Sequence, residues 1–246
     1  MTRKLTTLTL AATIIVAAVP ATTAFAQDTS KDWSMSLVPY MWGAAMEGDA
    51  AVKGRPAEID LSTDDLLDHM DIGGMAAFAA RKDRFGIAAD AVWVELSGES
   101  EMPPADVEPT LGIFSVSALY RVAPFAELSA GARWNHLNGK ISVPQPPGTT
   151  FEKSRDWVDP TVGVVLSTPT PGRFHGRLIA DIGGFGVGSD LSWQVFPSVG
   201  VDVTKHASIE MGWRFLDTDY EDGEGAERFA YDIMLQGPAV GLGFNF

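Results

Sequence analysis

Four histidines, His69, His136, His175 and His206, are the first candidates for chemistry in this chain of 246 residues, which has no cysteine. No two of them stand at metal-ligand spacing, so the sequence writes no zinc site. Without cysteine there is no thiolate nucleophile, no thiolate metal site and no disulfide framework. Asp217, Asp219, Glu221, Asp222 and Glu224 imitate the composition of a calcium loop, but Gly223 misses the place where an EF-hand needs its glycine. A solvated acidic loop is the better reading. No serine stands in a recognisable nucleophile motif. The sequence therefore assigns no catalytic residue, no metal site and no cofactor.

The remaining charged residues have a different pattern. Arg81, Arg121, Arg133, Arg177 and Arg214, with Asp90, Glu127, Asp159, Asp181, Asp202 and Glu210, all fall inside runs that alternate apolar with small or polar residues. They all take the polar side. Five cations against six anions is near balance, as a charge-paired interior requires and a strongly ion-selective wide pore does not. Arg121 and Glu127 should face each other across the turn at Ala123-Pro124.

Those runs are the elements that must position the charges, and their period of two is that of β-strands. Ten can be cut from the sequence: 33–46, 73–82, 85–96, 111–122, 125–137, 157–167, 173–185, 191–203, 208–215 and 229–246. A different cut of the first loop gives eight or twelve. Long acidic or proline-rich connections at 47–71, 97–108, 138–150 and 217–227 alternate with short ones at 83–84, 123–124, 168–172 and 204–206, and a Gly188-Ser189-Asp190 link adds a further short connection. Within 47–71 a ribbon over 51–61 is expected, followed by one helical turn capped by Ser62 with Asp65 at the third position. In the last strand the apolar phase slips at Gly237-Pro238, which predicts a bulge there.

A soluble sandwich would show the same alternation with its apolar face turned inward. Lysine placement argues against it. Each lysine beyond the N-terminal stretch (Lys31, Lys53, Lys82, Lys140, Lys153, Lys205) falls in a loop, a turn or a strand end. A solvated sheet face would normally carry some. The polar faces hold serine, glycine, asparagine and both signs of charge, which suits a confined lumen. Trp33, Trp93, Trp134, Trp157, Trp193 and Trp213 then suit girdles at the two membrane interfaces. The fold expected is all-β, a transmembrane antiparallel up-and-down barrel.

At the N-terminus, Arg3 and Lys4 precede an uncharged run from Leu5 through Val19 and then Ala24-Phe25-Ala26, so residues 1–26 read as a secretory signal peptide and 27–246 as one barrel domain. No later segment offers the roughly 20 consecutive apolar residues of a membrane helix. The net charge of -14 repels nucleic acid and argues against such a partner.

Two stretches resemble a known group. Val240, Leu242, Phe244 and Phe246, alternating with Gly241, Gly243 and Asn245 up to a terminal phenylalanine, are similar to the C-terminal signature of bacterial outer-membrane β-barrel proteins. Val52-Lys53-Gly54, Ile59-Asp60-Leu61-Ser62, Asp65-Leu66-Leu67 and Met70-Asp71 resemble a stretch of the small porin-like or OmpA-like barrels of Gram-negative bacteria. The resemblance implies a place in the outer membrane, contact with its lipid and lipopolysaccharide, and recognition of Phe246 and Phe244 by the barrel assembly machinery. A monomer is favoured. The function expected is non-enzymatic: a narrow porin-like channel, or a structural envelope protein with a charge-paired lumen. The second reading is an outer-membrane enzyme acting on lipid, of the lipid A deacylase or phospholipase type. It would need Ser, His and a carboxylate together on a lipid-accessible wall.

Overall fold

The computed structural model describes residues 33–52, 55–101, 104–143, 149–169 and 172–246. The expected signal peptide, Lys31, Lys53, the prolines at 144, 146 and 147, and part of the 168–172 turn lie outside them. The strands are β1 (Ser34–Trp42), β2 (Ala45–Val52), β3 (Arg55–Leu61), β4 (Met70–Lys82), β5 (Phe85–Leu96), β6 (Gly98–Glu101), β7 (Pro104–Ala123), β8 (Ala126–Val143), β9 (Thr149–Ser167), β10 (Phe174–Gly184), β11 (Leu191–Asp202), β12 (Ala207–Asp222) and β13 (Phe229–Asn245), with one helix, α1 (Thr63–Asp68).

Ten of these strands close into an antiparallel barrel. The order β1-β4-β5-β7-β8-β9-β10-β11-β12-β13 returns to β1, with Leu37 opposite Phe244 and Trp42 opposite Ala239. Closure removes the exposed edge that a last strand ending on phenylalanine would otherwise present. Met35 and Phe246 exchange backbone hydrogen bonds of 3.2 and 2.9 Å, so the end of the chain is stitched to its first strand.

The outer surface is apolar. Val116, Val162, Val199, Met211 and Leu242 are 49% to 59% exposed, values that would be anomalous on a soluble protein and are ordinary in contact with lipid. At the end bearing the short turns, Phe85 and Tyr120 lie with ring centroids 5.3 Å apart. Toward the loop end Trp93 stacks on His136 at 5.5 Å and donates to Glu95. Trp157 does not join such a girdle. It is buried inside, stacked on Tyr220 at 4.2 Å, because it shares the inward phase of Asp159.

Several boundaries differ from the sequence reading. The proposed loops at 97–108 and 138–150 are largely strand: β7 and β8 pair from Asp106 opposite Ser142 downward, and β8 and β9 from Val143 opposite Thr149. β12 likewise runs to Asp222, leaving a short link with a 3₁₀ turn (Gly225–Glu227). Propensity understates these extensions because a long hairpin is stabilised by its partner strand rather than by its own residue types. The capped turn is present as expected, with Ser62 and Asp65 forming a full capping box on α1, but the ribbon is longer than 51–61: β2 already starts at Ala45 and pairs with β3 from Met46 opposite Leu61 to Val52 opposite Arg55.

The expected bulge at Gly237-Pro238 is absent. β12 and β13 pair without a shift from Ala207 opposite Phe244 to Asp222 opposite Phe229. Inward and outward residues alternate strictly along β13, and what changes is the content of the lumen. Below Gly237 the inward residues are small (Ala239, Gly241, Gly243) and the apolar ones face outward. Above it Tyr231, Ile233 and Leu235 face inward and are buried. The interruption falls instead on the neighbouring strand, at Gly43-Ala44 between β1 and β2. There the Gly43 carbonyl comes so close to Gly237 that any β-carbon at Gly237 would collide with it.

Candidate functional site

The lumen has two storeys, and the lower one holds the charges. Arg214 on β12 is 1% exposed. Its Nη2 lies 2.8 Å from Asp90 Oδ1 on β5, its Nη1 donates to the Tyr40 hydroxyl at 2.7 Å, and its Nε donates to Gln194 Oε1 at 2.8 Å. Tyr40 in turn donates to Asp90 Oδ2 at 2.8 Å. Gln194 passes the chain on to Asp181 Oδ2 at 3.0 Å, and Asp181 Oδ1 accepts from Arg133 Nη2 at 2.6 Å. Arg133, also 1% exposed, completes its fork with the Ser192 hydroxyl at 2.9 Å. Two arginines, two aspartates and their neutral bridges thus link β1, β5, β8, β10, β11 and β12 through the middle of the barrel. A desolvated network of this kind holds because nearly every donor has an acceptor.

The other charges stand nearer the ends. Arg81 Nε donates to both Glu127 oxygens at 3.0 Å, while Arg121 reaches Glu127 at 3.6 Å with its side chain 42% exposed. The expected Arg121–Glu127 register is present, but Arg81 is the closer partner. His175 lies 2.8 Å from Glu210 and 3.8 Å from Asp202, whose side chain is 41% exposed. Ser208 donates to the same Glu210 oxygen at 2.6 Å. Glu210 therefore stands between the hydroxyl and the imidazole, the wrong order for a base to activate a serine. Arg177 lines the lower cavity, of about 160 Å³, with no ion-pair partner among the described residues.

Asp159 departs from the sequence expectation. It is fully buried, yet among the described residues no arginine forms an ion pair with it. Ser189 donates to it through both its backbone N–H at 2.6 Å and its hydroxyl at 2.9 Å, and Asn135 Nδ2 adds a bond at 3.0 Å. Three neutral donors replace the cation that charge counting had supplied. Among the described residues no group of three or more His, Asp or Glu is placed to hold a metal ion.

The upper storey is an apolar core that counting charged positions did not reveal. Trp42, Val92, Ile113, Leu216, Tyr231, Ile233 and Leu235 are buried together there. Trp42 divides the storeys, with the Arg214 guanidinium over its ring at 4.8 Å. Tyr40 and Gln194 were legible only as polar members of their strands, since a neutral side chain gives no signal of a bridging role. The switch in apolar phase along β13 was the one visible sign of the upper core.

A closed ten-stranded antiparallel barrel with an apolar outer face and polar residues sealed within is the fold of the bacterial outer-membrane β-barrel proteins. No protein-family model and no curated relative matches the chain. Solved structures that align with it include the outer membrane protease OmpT from Escherichia coli, at 12% identity and a TM-score of 0.48 over 92% of this chain and 99% of that one. The translocator domain of autotransporter NalP from Neisseria meningitidis aligns at 9% identity and 0.46, over 89% and 91%. Ail, the attachment invasion locus protein of Yersinia pestis, aligns at 10% identity and 0.40, over 87% and 98%. At such identities the likeness concerns fold alone.

Proposed function

We propose that this protein is a non-enzymatic barrel of the outer membrane whose lumen is held shut at mid-height by its charge network, so that small solutes pass only when that network opens. The observation that carries the reading is Arg214. It is buried, and it ties β12 to β5, β1 and β11 in one constellation. Barrels of about ten strands enclose little more than side chains can fill, far less than the 16–18 strands of water-filled porins. The order of Ser208, Glu210 and His175 gives that set no activated nucleophile. The test is single-channel recording on the refolded protein in planar bilayers. Long closed periods with rare, small openings are expected, and a large steady open current in the unaltered protein would remove the closed-lumen reading.

A further inference from the structure

Above Trp42 the barrel wall is incomplete. β1 pairs with β4 only from Ser34 opposite Arg81 up to Pro39 opposite Ala76. Beyond that point β2 continues along β13 and takes β3 as its other neighbour, while Met70–Met75 of β4 pair with β5 alone. The facing edges of β3 and upper β4 therefore share no ladder, and the chain crosses between them through α1. Thr63 fastens the start of α1 by donating to the Gly43 carbonyl at 3.0 Å.

Behind this seam lies a recess of about 460 Å³, inside the range of roughly 300–1,000 Å³ usual for small-molecule sites. Its walls are apolar, Met46, Met75, Val94, Leu111, Leu137 and Leu235 among them, and its floor is Trp42. The Trp42 indole N–H is buried and has no acceptor among the described residues. A buried donor left unpaired is a standing penalty that a ligand oxygen beside the ring would relieve. Leu61 and Leu67 line the recess and are also exposed, so they form its doorway. Exposed Ile72 flanks the doorway, and the pairings of Gly74 with Trp93 and Ile72 with Glu95 set it at the rim of the apolar belt. The opening thus faces the membrane interface. Glu58 and Asp60, both exposed, stand where the recess opens and disfavour an anionic head group.

We infer that this recess binds an uncharged long-chain molecule carrying a hydrogen-bond acceptor, admitted sideways from the membrane between β3 and β4. The site is separate from the charge network and does not depend on whether the lower storey conducts. The probe is an uncharged long-chain alcohol bearing a photoreactive diazirine, added to the mature protein in lipid nanodiscs, with adducts mapped by mass spectrometry.

Saturable adducts on Met46, Met70 or Met75, displaced by excess unmodified alcohol, are expected over a non-saturable background on the outer belt. Adducts on the belt alone would overturn the proposal. The matching fatty-acid probe should compete roughly tenfold less well, since approach to like charge in a partly desolvated mouth is worth about that factor. Equal competition would overturn the assigned ligand class. Val94→Trp fills the recess and should abolish saturable labelling. Leu67→Arg changes an exposed doorway residue, where folding is not at stake, and should slow labelling from the bilayer. Unchanged labelling in a folded Val94→Trp protein places the site elsewhere, and unchanged labelling in Leu67→Arg overturns sideways entry.

Discussion

The Arg214 guanidinium lies over the Trp42 ring, 4.8 Å from its centroid, while its nitrogens bind Asp90, Tyr40 and Gln194. One side chain thus serves as ceiling ligand to the polar storey and as support for the floor of the apolar one. A desolvated cation over tryptophan contributes on the order of 2 kcal/mol, and stranding a buried charge by removing its partner costs about 3–5 kcal/mol.

Arg214→Met should therefore lower stability by roughly 3 kcal/mol, since Asp90 loses its cation while retaining only the Tyr40 hydroxyl. Thermal unfolding in lipid or detergent, followed by the mobility change on heating, measures the loss. The same variant should open more often in planar bilayers.

Arg133 and Arg121 should separate sharply. Arg133→Ala leaves Asp181 with Gln194 as its remaining partner and is expected to destabilise by about 3 kcal/mol or more. Arg121→Ala removes a 3.6 Å contact from a side chain that is 42% exposed, while Arg81 continues to hold Glu127. Its effect should stay within about 1 kcal/mol. Equal losses in the two variants would contradict the ranking.

Tags inserted in 47–71 or at 223–225 between β12 and β13 should be reached by antibody on intact cells. Val52, where β2 ends opposite Phe229, and the 223–225 link both lie at the end opposite the short turns. Labelling only after permeabilisation would invert the barrel.

Removing Phe246 should reduce assembly more than an equally apolar change in mid-strand such as Phe114→Ala on the outer face of β7. The last residue forms two backbone bonds with Met35 at the closing seam, and the terminal aromatic matches the signal expected to be read by the assembly machinery. The amount of heat-modifiable protein in outer-membrane fractions measures the effect. Normal levels without Phe246 would deny it a special role.

The cap of α1 should be sensitive to acid. Hydrogen bonds from the Ser62 side chain and then its backbone N–H hold the Asp65 carboxyl below its ordinary range. A carboxyl depressed in the folded state lends its stabilisation above the unfolded value and loses it as pH falls through the folded one. Below the carboxylate range the first turn should loosen. Hydrogen exchange at the Asp65 and Leu66 amides, compared at neutral and strongly acidic pH, should show the difference, and Asp65→Asn should exchange faster already at neutral pH.

Much of the barrel is decided by local pattern. Alternation along 111–137, the placement of lysines at strand ends and the terminal Val240, Leu242, Phe244, Phe246 series fix strands, facing and closure, because a β-strand's side chains alternate whatever lies around it. The inward arginines and carboxylates were legible for the same reason. Their partners were not. Alternation says which way Asp159 points, but only the turn between β10 and β11 brings Ser189 to it in place of an arginine. Arg81 reaches Glu127 because β4 and β8 stand close around one side of the lumen, a relation with no trace in sequence spacing. The apolar phase along β13 was readable, yet its meaning was not: in a single strand, inward apolar residues above Gly237 look like a slip of register. Only ten strands closed together make Tyr231, Ile233 and Leu235 the wall of an upper core, and only the departure of β2 from β4 opens that core to the side.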